Sequence, residues 1–331
     1  MSGDRGPVLV AGAGGFIGGH LVARLLAEGR EVRAVDMKQT GDWYQVHEQA
    51  ENLVLDLSVA GNCERSVDAV ADVYNLASDM GGMGFIENNK ALCMLSVLIN
   101  TNLMKSAQER GCERYFFASS ACIYPDYRQR ETDNPGLKES DAYPAMPEDG
   151  YGWEKLFGER LCRHFFEDFG FETRTFRYHN VYGPHGTWTG GREKAPAAIC
   201  RKVAEARIGG TREIAIWGDG KQSRSFMYID DCVEGTRRLM ESEVTEPLNL
   251  GSEELVTIDE LVTIVEDIAE IELERVYDTS APQGVRGRNS DNDLIRERLG
   301  WAPSVSLREG LEQTYRWVHD QVAAGSRLIR P

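Results

Sequence analysis

The sequence predicts an α/β protein: a parallel sheet with helices on both faces, joined to a smaller mixed α/β domain that binds substrate. Two observations carry this reading. Residues 8–11, VLVA, form a short apolar strand that runs directly into GAGGFIGG and an apolar-periodic helix reaching residue 26. Gly29 stops that helix, and EVRAVD supplies a second strand ending at Asp36. Strand, glycine turn, helix, strand is the opening of a doubly wound parallel sheet.

The later elements follow in order. Strands are predicted at 52–55, 73–76 and 114–118, with helical sequence over 86–111; a helix over 151–168 precedes a strand at 172–178. After residue 182 the texture changes, because 183–192 (GPHGTWTGGR) is glycine-rich and no strand–helix repeat resumes. Helices at 195–206, 230–240, 258–268 and 307–324, a strand at 213–217 and a polar loop over 281–292 complete the chain. This gives a nucleotide-binding domain over 1–180 and a substrate domain over 181–331, with segment crossover between them.

Composition narrows the function. The 331 residues carry 53 Asp plus Glu against 37 Lys plus Arg, a net charge of -16, and no basic block, which excludes a general nucleic-acid backbone binder. Seven cysteines, an odd number without CxxC, and six histidines without HExxH argue against a disulfide framework and against a metal site. No uncharged stretch approaches the roughly 18 apolar residues of a membrane span, and no basic-then-apolar leader is read at the start. The expectation is a soluble cytoplasmic enzyme with no metal, nucleic acid or membrane partner.

Gly12, Gly15 and Gly18 make a GxxGxxG series. Gly12 can turn tightly out of the strand, Gly15 admits a pyrophosphate to the backbone, and Gly18 lets the helix approach the sheet. Free N–H groups of the first helical turn, at Phe16 and Ile17, then face phosphate oxygens. Asp36 can accept both hydroxyls of an adenosine ribose and would repel a 2′-phosphate, so NAD is favoured over NADP. Lys38, a nearby cation, slightly weakens that preference.

Tyr151 and Lys155 stand at i,i+4 on one helix face. A tyrosinate can remove a hydroxyl proton during dehydrogenation; an adjacent ammonium favours the phenolate and can hold a nicotinamide ribose. Ser120 ends a strand and can bind the same substrate oxygen.

On these residues the chain resembles the extended short-chain dehydrogenase/reductase family, whose signature is a GxxGxxG turn, a strand-end Ser/Thr and YxxxK. The resemblance implies a Rossmann-type domain holding NAD, with Asp56 among the cofactor contacts, and a C-terminal nucleotide-sugar domain. Within the family, residues 78–86 (SDMGGMGFI), 119–125 (SSACIYP), 151–156 (YGWEKL), 179–202, 217–226 (WGDGKQSRSF) and 284–292 (GVRGRNSDN) resemble the 3,5-epimerase branch that acts on GDP-mannose. That likeness implies Cys122 and Lys194 as base and acid, NAD retained through turnover, GDP-mannose or a related nucleotide sugar as substrate, and a homodimer formed through helices of the first domain. It also implies substrate contacts from Gly81, Met83, Ser120, Asn180, Glu193, Lys194, Lys202, Arg224, Arg286 and Arg288. Of these, Lys202, Arg286 and Arg288 are the candidates for the GDP pyrophosphate, since a guanidinium offers phosphate a two-pronged fork. His179, Asn180 and Tyr182 are expected to line the cofactor or substrate cleft, and Trp217 and Phe226 to be packing residues.

Inverting C3 and C5 directly would mean removing unactivated C–H protons, whereas a ketone at C4 acidifies both. The scheme needs a redox set (Tyr151, Lys155, Ser120, NAD) and a separate acid/base pair. A nucleotide-sugar 4-epimerase would leave Cys122 and Lys194 idle. A 4,6-dehydratase expects an acidic pair where this chain has Ala121 and Cys122. A dinucleotide-binding sensor or scaffold would not need an intact Ser120, Tyr151 and Lys155.

Overall fold

In the computed structural model, which describes residues 6–281 and 284–325, the first half alternates strand and helix. It begins with β1 (Val8–Ala11), α1 (Phe16–Ala27), β2 (Val32–Asp36), β3 (Glu51–Val54), α2 (Ala60–Ser66) and β4 (Asp72–Asn75). Next come α3 (Met83–Asn88), α4 (Lys90–Met94), α5 (Ser96–Glu109), β5 (Arg114–Ser120), α6 (Tyr151–Phe169), β6 (Glu172–Tyr178) and the short β7 (Val181–Tyr182). The helical segments expected over 86–111 are α3, α4 and α5, and the first two meet at Asn89, whose side-chain amide donates to the Phe85 carbonyl at 2.9 Å. That bond competes with the helical ladder and turns the chain between α3 and α4.

The second half contains α7 (Ala195–Gly209), β8 (Glu213–Trp217), β9 (Ser223–Ser225), β10 (Met227–Tyr228), α8 (Ile229–Glu241), β11 (Leu248–Leu250) and β12 (Leu255–Thr257). It closes with α9 (Ile258–Ala269), β13 (Glu274–Asp278), β14 (Gly287–Arg288), α10 (Asp293–Leu299) and α11 (Leu307–Ala323). Capping boxes at Thr257/Glu260 and Ser306/Glu309 fix where α9 and α11 start.

Seven strands form one parallel sheet in the order β11-β6-β5-β4-β1-β2-β3. The sheet therefore does not end at β6: β11, from well beyond residue 180, pairs with it, Asn249 opposite Arg177. The direction of winding reverses between β1 and β4, which opens a crevice above the strand ends there. All four residues of β1 are buried because Val8 and Val10 join the core on one face while Leu9 and Ala11 join the core on the other. A strand covered on both faces needs an unbroken apolar run, which is why VLVA does not alternate.

The remaining strands form three small sheets: β10 pairs with β7, β13 pairs with β8, and β12, β9 and β14 form a three-stranded sheet. The expected polar loop at 281–292 contains β14 instead, although its residues 282–283 lie outside the described residues. Gly287 explains the strand, since a Cβ there would sit 1.9 Å from the Glu131 carbonyl oxygen. Only glycine permits that approach, and it carries Arg288 inward.

Candidate active site

The glycine turn is built for close contact. Gly12 has φ +82, and a Cβ would lie 2.9 Å from the Ala77 backbone nitrogen. At Gly18 a Cβ would meet the Gly12 carbonyl oxygen at 2.1 Å, so α1 can pack on the turn only with glycine there. Gly15 caps α1 with extended backbone and no side-chain bond, leaving the first-turn N–H groups of Phe16 and Ile17 directed at the crevice. The ring of Phe16 itself packs where a Cβ on Gly186 would fall.

At the end of β2, Asp36 accepts from the Gly14 N–H at 3.1 Å and the Lys38 N–H at 3.0 Å. Its carboxylate is held level with the turn by these bonds, with lone pairs left for ribose hydroxyls. The Lys38 ammonium donates to the Gly14 carbonyl at 2.9 Å and lies over the Tyr44 ring. Asp56, past β3, accepts from the Ser58 N–H at 2.9 Å and shapes the turn into α2. These residues fit a dinucleotide: a cradle that no side chain could share, a helix N-terminus and a ribose acceptor.

The second group stands at the carboxyl end of β5. Ser120 Oγ accepts from the Cys122 N–H at 3.1 Å, which closes a single turn and fixes Cys122 next to the serine. Helix α6 begins against that turn, because a Cβ at Gly152 would come within 2.4 Å of the Cys122 carbonyl oxygen. Tyr151, first residue of α6, is buried beside the Ser120 hydroxyl, and Lys155 Nζ lies 5.3 Å from the Tyr151 ring centroid. Burial drives the Tyr151 phenol well above its ordinary range, reinforced by Cys122 and Glu154 and opposed by Ser120. The ammonium of Lys155 is shared with the buried Glu154 carboxylate at 3.3 Å, a pairing of adjacent residues that the helix-face spacing does not predict.

The second group meets the second half of the chain across a cavity of about 510 Å³, whose wall does not include the glycine turn, Asp36 or Asp56. Its wall includes Ser120, Cys122, Tyr151, Gly81, Met83, Asn180, Glu193, Lys194, Lys202, Arg224 and Arg288. Arg288 Nη1 lies 3.6 Å from Cys122 Sγ, and its Nε donates to Gln129 Oε1 at 2.5 Å. Lys194 is the N-cap residue of α7, makes no side-chain cap bond, and reaches the cavity. Burial lowers its ammonium from the usual lysine range, with Arg288 adding to the effect and Cys122 opposing it. Arg224 is also pulled down, to about 9, by burial and by Arg288 and Arg286, which marks a region short of negative charge.

Among the described residues the wall carries Lys194, Arg201, Lys202, Arg224 and Arg288 against the single carboxylate of Glu193. In a chain of net charge -16 this concentration of cations is local, and it suits a diphosphate. Lys202 donates to the Ala215 carbonyl at 2.6 Å and Asn180 to the Ser225 carbonyl at 3.0 Å, so both are braced at the wall. Glu193 accepts from the Gly191 N–H at 2.6 Å and shapes its own loop.

Other expected residues stand apart. Arg286 is outside the wall, its fork closed on Asp219 at 2.9 Å by each nitrogen. His179 is buried against Asn249, the Tyr182 hydroxyl donates to the Leu307 carbonyl, and neither lines this cavity. Phe226 is buried and Trp217 half exposed, and both contribute to the wall. Arg201 and Gln222 also line the wall and escape the motif reading, though each lies within a segment that carries the resemblance. The described residues contain no cluster of His, Cys, Asp or Glu that could hold a metal ion.

A sequence profile described as the NAD dependent epimerase/dehydratase family matches residues 8–251. The chain belongs to that family. The cofactor of this family is NAD, and the cradle of the glycine turn suits a dinucleotide. Among its relatives is the GDP-mannose 3,5-epimerase of Arabidopsis thaliana, 49% identical over 316 residues, covering 95% of this chain and 82% of the relative. A solved UDP-glucose 4-epimerase from Thermotoga maritima, with UDP-glucose, superposes with a TM-score of 0.86 at 25% identity, covering 96% of this chain and 99% of that one. MoeE5 in complex with UDP-glucose and NAD does so with a TM-score of 0.79 at 27% identity, covering 96% and 100%.

Proposed function

We propose that this family member is an isomerase that inverts C3 and C5 of GDP-mannose, giving GDP-L-galactose, with GDP-L-gulose arising when only C5 inverts. The observation that carries the reading is that Cys122 and Lys194 line the same cavity as Ser120 and Tyr151. A 4-epimerase needs only the latter group. The identity of 49% to a GDP-mannose 3,5-epimerase supports the substrate.

The glycine turn and Asp36 would hold NAD, which when bound would supply the hydride acceptor for oxidation at C4 and the hydride for the later reduction. Tyr151 takes the C4 hydroxyl proton as the ketone forms, while Ser120 donates to the developing oxygen charge. Lys155, beside the Tyr151 ring, favours the phenolate, and its ammonium would hold the ribose of a bound NAD. The C4 ketone then acidifies the protons at C3 and C5. Cys122 removes a proton from one face, with Arg288 as counter-charge to the thiolate, and Lys194 supplies one to the opposite face. Arg224, Arg288 and Lys202 hold the diphosphate.

A second copy of the chain is the proposed partner. Leu92, Met94, Leu95 and Leu98 on and beside α4 and α5, with Trp153 and Phe157 on α6, are exposed apolar side chains on helices that pack together. Exposed apolar surface of this kind is the mark of an interface. The seven unpaired cysteines suit a reducing compartment, and we place the protein in the cytoplasm.

Incubation with GDP-mannose in heavy water, followed by NMR of the recovered sugars, tests the reaction. Deuterium at C3 and C5 of epimerised products is expected. Inversion at C4 alone, without solvent deuterium, would replace this reading with that of a 4-epimerase.

A further inference from the structure

Lys194 sits on a loop whose attachment is unusual. Gly190 and Gly191 precede it with φ +92 and +89, a pair of positive-φ conformations that glycine adopts without strain. Immediately after them, Arg192 makes contacts of different kinds to the loop that follows β4. Its Nη1 pairs with Asp79 Oδ1 at 2.8 Å, its guanidinium carbon lies 3.7 Å from the centroid of the Phe85 ring, and its carbonyl accepts from the Gly82 N–H at 3.1 Å. A Cβ on Gly82 would stand 2.8 Å from the Glu193 carbonyl oxygen, so the two loops touch backbone to backbone.

The receiving loop is itself anchored. The Asp79 N–H donates to Ser96 Oγ on α5 at 3.0 Å, and Ile86, next to Phe85, is buried. One side of the junction is therefore fixed to the sheet domain, and the other carries Lys194 two residues further on. Both loops line the cavity, at Met80–Gly84 on one side and at Gly191, Glu193 and Lys194 on the other.

We propose that Arg192 is a positioning residue, which with Asp79 and Phe85 straps the Lys194 loop across the cavity mouth and so fixes where the Lys194 ammonium stands relative to Cys122. This rests on the proposed 3,5-epimerisation. An acid and a base that work on opposite faces of one sugar ring must be separated by the thickness of that ring. Direct contact between Cys122 and Lys194 could not enforce such a gap, and the Lys194 side chain takes no part in capping α7. The strap supplies the missing constraint. The ion pair is partly exposed and weak alone, but the stacked guanidinium and the backbone bond act at the same residue.

The test uses the NAD-loaded full chain with Arg192→Met, which keeps the side-chain length and removes its charge and fork. Deuterium incorporation at C3 and C5 should fall about tenfold or more, since displacements near 1 Å carry penalties of this order. The 4-keto sugar trapped with borodeuteride in a single turnover should stay within about twofold of the parent, because Tyr151 is untouched. Amide exchange at Gly82 should accelerate as its acceptor is released. Asp79→Asn should reproduce the effect, and Arg192→Lys, which keeps the charge, should restore part of the rate. Parental incorporation at C3 and C5 in Arg192→Met would overturn the proposal. So would an equal fall in trapped 4-keto sugar, since that would make Arg192 a binding or folding residue. Parent protein that traps no 4-keto sugar at all would instead bring down the reaction on which the proposal rests.

Discussion

Arg288 places a guanidinium nitrogen 3.6 Å from the sulfur of Cys122. The two are far apart in sequence, and they meet because a one-turn cap at Ser120 fixes the thiol while Gly287 lets β14 pass against the Glu131 carbonyl. A buried cysteine in an apolar core needs no such partner. Cys122 has this cationic partner and faces the cavity, which argues for chemistry there over packing.

Replacing the thiol should separate proton transfer from oxidation. In Cys122→Ala, deuterium incorporation at C3 and C5 should fall by about 10²–10⁴, the usual contribution of a general base. The 4-keto sugar should still form, and borodeuteride trapping after one turnover should recover it. Incorporation at the parental rate would make Cys122 a core residue.

Removing the phenol should abolish both processes. Tyr151→Phe leaves the C4 hydroxyl proton without an acceptor, so neither trapped ketone nor exchange at C3 and C5 should exceed background. Persistent exchange in this variant would mean that the C3 and C5 protons are lost without prior oxidation, and the order of steps given above would be wrong.

Much of this arrangement is legible in the amino-acid sequence alone. The apolar VLVA run, the three glycines and Asp36 specify a local strand–turn–helix–strand unit, and local signals of this kind can be read from spacing. Tyr151 and Lys155 share a helix face for the same reason. Contacts made by distant segments are harder to read. The seventh strand, β11, is only Leu248–Leu250, too short to show a period. β14 is hidden in a polar loop because its cause is a carbonyl from residue 131. Trp217 reads as a core aromatic, yet it ends β8 at the open side of the cavity. Arg286 reads as a phosphate ligand but is committed to Asp219, a pairing between segments that no spacing reveals.

Cofactor preference should follow Asp36. Its carboxylate is oriented by the Gly14 and Lys38 N–H groups beside the glycine turn, where it would accept from the ribose of the proposed NAD. Asp36→Asn should weaken NAD binding by roughly ten- to hundredfold, the worth of one or two hydrogen bonds to a charged acceptor. NADP should gain on NAD in the same variant, as the repulsion of a 2′-phosphate is removed. Calorimetric titration of cofactor-stripped protein with each dinucleotide measures both; an unchanged NAD/NADP ratio would remove Asp36 from the ribose site.

His179 should leave a mark on stability. It is fully buried, its ring is bonded to Asn249 at 3.1 Å, and its other nitrogen has no hydrogen-bond partner. Burial pushes its pKa down to about 3, with Arg288 and Arg177 adding to the effect and the Asn249 bond opposing it. In the unfolded chain the same imidazole titrates near 6.5. Between these values the unfolded state holds a proton that the folded state does not, so acid favours unfolding. The stabilisation is fully present above about pH 6.5 and is lost as the pH falls toward 3, by about 1.4 kcal/mol per unit. Urea denaturation at pH 7 and pH 5 should show the parent losing about 2 kcal/mol more than His179→Gln over that interval. Carboxylates shared by both proteins cancel in the difference. Equal losses would mean that His179 takes up its proton in the folded state as readily as in the unfolded one.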